Sequence, residues 1–131
     1  MAFIGAVRTV LEKYATFIGR ASRSELWWWW LFVLLLSLGT QLIDGLFIAP
    51  LLGFEVLEEN AGQPLTLIAL LALLLPNIAV SVRRLHDIDR SGWWVLIGLV
   101  PFVGVLVLLY WWVQSGTNGP NTYGNDPLSK A

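Results

Sequence analysis

Leu26 to Ala49 reads LWWWWLFVLLLSLGTQLIDGLFIA, twenty-four residues carrying a single charge at Asp44. A hydrocarbon core about 30 Å thick is crossed by roughly 20 helical residues. A helix apolar on every side belongs in a large protein core or in lipid, and this chain is too short for a large core. Working outward, Leu65 to Val82 and Trp93 to Val113 are two further apolar runs. Of 131 residues 56% are hydrophobic and 13% charged, against about 45–50% and about 25% in soluble domains. The mean hydropathy of +0.68 agrees. Too few polar side chains remain to cover a water-facing surface, which excludes the soluble, disordered and fibrous classes. No cysteine is present, so a disulfide framework and a thiolate metal site are excluded. A net charge of -1 speaks against nucleic acid, whose binders show a basic face.

The expected fold is all-α: a polytopic membrane protein forming one membrane domain, with three transmembrane helices over residues 26–49, 65–82 and 93–113. The first run starts too late and is too long for a cleaved signal peptide, so Met1 is read as the mature start. Before the spans, Phe3, Val7, Val10, Tyr14 and Phe17 recur at helical spacing, with Arg8, Glu12 and Lys13 opposite. Residues 3–18 thus read as an interfacial amphipathic helix. Ser22 and Glu25 form a capping-box pattern opening span one. Pro64 fits the first turn of span two, while Pro76 and Pro101 are expected to kink spans two and three. A re-entrant hairpin at Pro101 has arms of about 11 residues, too short to cross twice, and one kinked span is preferred. The tail over residues 115–131 is rich in turn residues and has no core.

Lys and Arg are retained on the cytoplasmic side. Arg8, Lys13, Arg20, Arg23, Arg83, Arg84 and Arg90 precede span one or join spans two and three, the first loop has none, and the tail has Lys130 alone. The expected orientation is an N-terminus inside and a C-terminus outside.

In span one Ser37, Thr40, Gln41 and Asp44 form a stripe at i, i+3, i+4 and i+7. Lipid disfavours such a face, so it is expected to turn to other helices, to water or to a solute path; Asp44, near the outer interface, is open to hydration. In span two Asn77 and Ser81 are one turn apart, and the Asn77 amide is placed to satisfy the carbonyl freed by Pro76 or to bond Gln41.

Polar chemistry concentrates at the inner face in Arg20, Arg23, Glu25, Arg83, Arg84, His86, Asp87 and Arg90. Continuing the second helix pairs Arg83 with Asp87 and His86 with Arg90 at i,i+4. Guanidinium groups there suit anionic headgroups, or an internal lock on Glu25 and Asp87; as plain positive-inside charge with local pairs they would need neither.

Three stretches are familiar: Phe17-Ile-Gly-Arg-Ala-Ser-Arg-Ser-Glu-Leu-Trp-Trp, the run Arg83 to Trp94, and Gly116-Thr-Asn-Gly-Pro-Asn-Thr-Tyr-Gly-Asn-Asp-Pro. Together they resemble the signatures of the domain-of-unknown-function 805 family, in the right order and over nearly the whole chain. Ile88 and Asp89 depart from it, standing where Thr-Gly is common. The resemblance implies a multi-pass protein of the bacterial inner membrane and transfers no catalytic residue.

No catalytic site is expected. One His and no Cys do not make a zinc site, no serine lies in a nucleophile elbow, and the tail glycines lack a phosphate-loop lysine. No cofactor is expected either. The function so read is a non-catalytic module that packs with itself or with a membrane-protein partner and contacts membrane lipids, anionic ones included, through the arginine cluster. The alternative is a small oligomeric transporter or channel subunit using the polar stripe. An enzyme acting on headgroups through His86 and Asp87 is a distant third.

Overall fold

A computed structural model describes residues 2–128. Lys130, the tail's one basic residue, lies outside the described residues. Helices dominate, and among the described residues there is no strand, only an isolated antiparallel bridge between Asn121 and Gly124. Two helices are long and apolar enough to cross a membrane: Arg23–Leu51, with hydropathy 2.0, and Pro64–Asp87, with 2.4; a third, Val103–Val113, is shorter. The chain divides into two compact units.

The first unit combines residues 1–29 with 76–131. Helix α1 (Phe3–Glu12) buries Ala6 and Val10, and Phe3 meets Trp28 edge to face at 5.9 Å. It ends six residues short of the expected amphipathic segment: residues 13–15 form a turn, and Gly19 takes a φ of 88° before Ser22. Helix α2 (Arg23–Ile43) opens on the predicted cap, the Ser22 hydroxyl accepting from Glu25 N at 3.3 Å. Of the four tryptophans Trp29 is fully buried, while Trp27 and Trp28 are exposed.

The third apolar segment is not one kinked span. Gly92–Leu99 is a 3₁₀-helix and α5 (Val103–Val113) follows after a break. Helices α3 (Ala49–Leu51) and α4 (Pro64–Asp87) precede it in the chain. Val100, forced out of helical backbone by the ring of Pro101, is extended at φ -81° and ψ 116°. Phe102 then takes φ 63° and ψ -63°, with Val103 N donating to Pro101 O at 2.7 Å. That is a γ-turn, and it reverses the chain. A methyl on Gly104 would strike the Ile97 carbonyl, and one on Gly98 would lie 3.0 Å from Leu108. The glycines flanking Pro101 therefore let two backbones close on each other, and the arms bury Leu108 and Trp111 against Leu85, with Val95 and Ile97 packed on them. At about 16 Å, the eleven residues of α5 are too short to cross a bilayer.

The second unit is residues 30–75. Here α2 passes into a π-helical turn, Asp44–Ile48, and then α3. The π-turn has a local cause: the Gly45 carbonyl accepts from Leu57 N at 2.8 Å, and a side chain at Gly45 would collide with Leu57, itself at φ 60°. Helix α4 starts in this unit with Pro64 at its first position, as expected. Asp44, 1% exposed, is not hydrated. Its carboxylate accepts from Leu65 N at 2.9 Å and from the backbone and hydroxyl of Thr66, each at 2.8 Å, satisfying donors that the first turn of α4 leaves open. The rest of the stripe is satisfied locally: Thr40 Oγ1 donates to Ser37 O and Gln41 Nε2 to Ser37 Oγ, both at 3.0 Å.

Candidate functional site

Helix α4 continues through Pro76 to Asp87 without interruption and carries the polar residues of the first unit. The Asn77 Oδ1 accepts from Trp29 Nε1 at 2.7 Å. Ser81 donates back to Asn77 O at 2.8 Å. The helix closes with Arg90 N donating to Leu85 O at 2.9 Å and Asp89 N to His86 O at 3.0 Å, a Schellman arrangement. Asp89 supplies its left-handed residue at φ 60°. The turn that glycine usually makes is thus formed by an aspartate, one of the few residues that tolerate it.

Five of the inner-face residues, Arg20, Glu25, Arg83, Arg84 and Asp87, meet in ion pairs, and the pairs are not those of helical spacing. Arg83 bonds Glu25 of α2, not Asp87. Asp87 receives Arg84, three residues earlier, and Arg20 from the loop before α2, at 3.0 Å. His86 does not meet Arg90; its Nδ1 faces Gly19 O at 2.9 Å and must be the protonated nitrogen, because a carbonyl only accepts. The Tyr123 ring stacks on the imidazole at 4.1 Å. Arg90 lies 4.5 Å over Trp111, a cation–π contact.

The tail, read from the sequence as turns without a core, is wired into this cluster. Arg20 spreads its fork over three tail carbonyls, those of Thr117, Gly119 and Gly124, while holding Asp87. Thr117 N donates to Asp87 O at 2.8 Å, Asn121 Nδ2 to His86 O at 2.9 Å, and Thr122 N to Asp89 Oδ1 at 3.1 Å. Gly116 is packed on the Asp87 carboxylate so closely that a Cβ would overlap it. Arg84 reaches the carbonyl of Gln114. The tail therefore packs directly on the Asp87–Arg90 loop. Little in the tail sequence announces these contacts, since apart from the Asn121 amide its half of each bond is a backbone group.

Arg20, Arg83 and Arg84 are 5%, 0% and 0% exposed. Charges so buried need partners, and Glu25, Asp87 and the tail carbonyls provide them. Arg83 keeps Nε and Nη2, and Arg84 keeps Nε, without a hydrogen-bond partner among the described residues. Arg23 differs: it is exposed and donates to Val113 O at 3.0 Å. Beside it a cavity of about 620 Å³ is lined by Ser22, Ser24, Trp27, Thr117 and Asp126, among others. The backbone N–H groups of Leu128 and Gly119 hold the Asp126 carboxyl below its usual range. No cluster of three or more His, Cys, Asp or Glu able to hold a metal ion occurs among the described residues.

A family model described as "Protein of unknown function (DUF805)" matches residues 14–125, a span that holds the first two motifs, the third as far as Asn125, and the ionic cluster. The chain belongs to this family. Among its relatives, the inner membrane protein YhaI of Escherichia coli K12 is 44% identical over 119 residues, 91% of this chain and 92% of the relative. Inner membrane protein YhaH of the same strain is 39% identical over 118 residues, 90% and 92% of the two chains. The uncharacterized protein YiiR, also from that strain, is 29% identical over 148 residues, 90% of each. No solved structure matches. Family members of this kind are named for their membrane, and the apolar helices of this chain agree with an integral membrane protein of bacterial inner-membrane type.

Proposed function

We propose that this chain is a non-catalytic module of the bacterial inner membrane that packs with itself or with a membrane-protein partner and contacts lipid headgroups at its cytoplasmic end. Two helices cross, and the segment from Gly92 to Val113 enters and returns. The N-terminal helix, the Asp87–Arg90 loop and the tail then share the cytoplasmic side, which gathers every Lys and Arg of the described residues there.

One observation carries this reading: three cytoplasmic-end arginines are spent on the protein's own carboxylates and carbonyls. They act as an internal lock, and lipid contact falls to exposed Arg23. Aliphatic side chains such as Leu34, Leu38, Leu71 and Leu74 are left exposed on the spanning helices, a surface suited to acyl chains or another helix. A transport role draws less support, since Thr40 and Gln41 bond Ser37 within their own helix and Asp44 caps another. Catalysis draws little from His86 and Asp87, since the imidazole Nδ1 serves Gly19 and the carboxylate serves Arg20 and Arg84.

Mass spectrometry of the protein released from a mild detergent tests the proposal. Lipid-bearing species at a multiple of the 14.6 kDa chain mass, or bound to a second protein, are expected. A lipid-free monomer under all extraction conditions would contradict it.

A further inference from the structure

The cavity beside Arg23 carries charge of both signs. One wall comes from the start of α2, with Ser22, Arg23 and Ser24, and a second from the tail, with Thr117 and Asp126. Its volume, about 620 Å³, falls within the roughly 300–1,000 Å³ of small-ligand pockets. Trp27, 39% exposed, and Leu128 add apolar lining, and an indole in that setting belongs at headgroup depth.

We infer that this cavity binds the phosphoethanolamine headgroup of a membrane phospholipid, its phosphate on Arg23 and Ser24 and its ammonium on Asp126. The inference rests on the lipid-contact role proposed above and names the headgroup. Arg23 has the capacity: a guanidinium carries five N–H donors, and among the described residues its hydrogen bond goes to Val113 O. The site also opens α2. Ser22 takes Glu25 N and Leu26 N, while the N–H groups of Arg23 and Ser24 are first-turn donors without a helical acceptor, in a position that favours an anion.

The second wall selects against a purely anionic lipid. Asp126 accepts from Gly119 N at 3.1 Å and Leu128 N at 2.9 Å, one bond on each oxygen, and each carboxylate oxygen keeps a further lone pair. Asp87, also in the wall, has its charge matched by Arg20 and Arg84. Asp126 has no salt bridge to a basic side chain among the described residues, and a ligand ammonium would pair with it. A headgroup with a phosphate and no cation would leave it unanswered, and a trimethylated ammonium would offer it no N–H donor.

The test uses the full chain in nanodiscs holding equal parts of phosphatidylethanolamine, phosphatidylglycerol and phosphatidylcholine, with retained lipid counted by mass spectrometry after release. Phosphatidylethanolamine should be enriched about fivefold over the other two, the equivalent of one partly exposed ion pair. Asp126→Asn should abolish the preference over phosphatidylglycerol, and Arg23→Gln should reduce retention of all three. Both variants are read only if their helix content and melting match the parent; wild-type selectivity stands as a test by itself. Lipid retained without preference, or with phosphatidylglycerol favoured, would overturn the headgroup assignment and leave the lipid-contact role intact, whereas no retained lipid at all would overturn both. Soluble glycerophosphoethanolamine should bind far more weakly than the lipid, and equal binding would overturn the assignment to a membrane ligand.

Discussion

Trp94 and Trp111 meet edge to face, ring centroids 5.7 Å apart and planes at 76°. A continuous helix from position 94 to position 111 would hold them about 26 Å apart. Their contact is the consequence of the γ-turn at Phe102, and it converts a segment with the composition of a third span into a hairpin. Both ends of that hairpin then lie beside the Arg84–Asp87 pair, where the tail is captured.

Closure of the hairpin depends on Gly104, whose Cβ would meet backbone rather than a side chain that can swing away. Gly104→Ala should lower the melting temperature in detergent and raise Trp111 solvent exposure, read by fluorescence. Gly39→Ala, where an added methyl meets nothing within 4 Å, should be close to neutral. Equal behaviour of the two variants would contradict the close packing.

The ionic cluster predicts non-additivity. Glu25→Gln leaves Arg83 charged and buried, and loss of one partner of such a pair costs about 3–5 kcal/mol. Glu25→Leu combined with Arg83→Met removes both charges and should recover most of that loss in an equilibrium unfolding measurement. A double variant as unstable as the sum of its singles would show that the two residues do not act as a pair.

Asp44 should prove to be a cap. Asp44→Ala leaves Leu65 N and Thr66 N without their acceptor and is expected to cost about 0.5–2 kcal/mol, with early hydrogen exchange at the start of α4. Unchanged stability together with altered ion flux in liposomes would favour the transport reading instead.

Proton binding should report the tail. The Asp126 carboxyl is held below its ordinary 3.8, first by the Leu128 N–H and then by that of Gly119. A carboxyl lowered in the folded state adds stability above its unfolded value, and that contribution fades as pH falls through the folded one. The Gly119 amide resonance should therefore titrate with a midpoint below 3.8. A midpoint above it would contradict the pair of backbone bonds.

Much of the helical framework was legible in local pattern. The twenty-four residues from Leu26 announce a span, Ser22 and Glu25 announce its cap, and Pro64 marks the next helix. The hairpin was not legible from composition, because an apolar run reads alike whether it crosses or returns. What decides it is pairwise, the approach of Gly104 to Ile97 and of Trp94 to Trp111. The cluster was legible as a set of residues and illegible as a set of bonds. Helical spacing pairs Arg83 with Asp87, yet burial hands Arg83 to Glu25, 58 positions away, and Asp87 to Arg20, 67 away. Asp44 was conspicuous as a charge in a span, and its purpose came from a helix start 21 residues later.

The side of the membrane on which the tail lies tests the account most directly. Single cysteines at Lys13, Glu55 and Asn125, all exposed positions, are to be labelled in intact cells with a thiol reagent that does not cross the inner membrane. The account predicts labelling at Glu55 alone, with Lys13 and Asn125 reacting only after the membrane is opened. Labelling of Asn125 together with Glu55 in intact cells would place the tail outside, restore a third crossing, and contradict both the hairpin and the docking of the tail on Arg20 and Asp87.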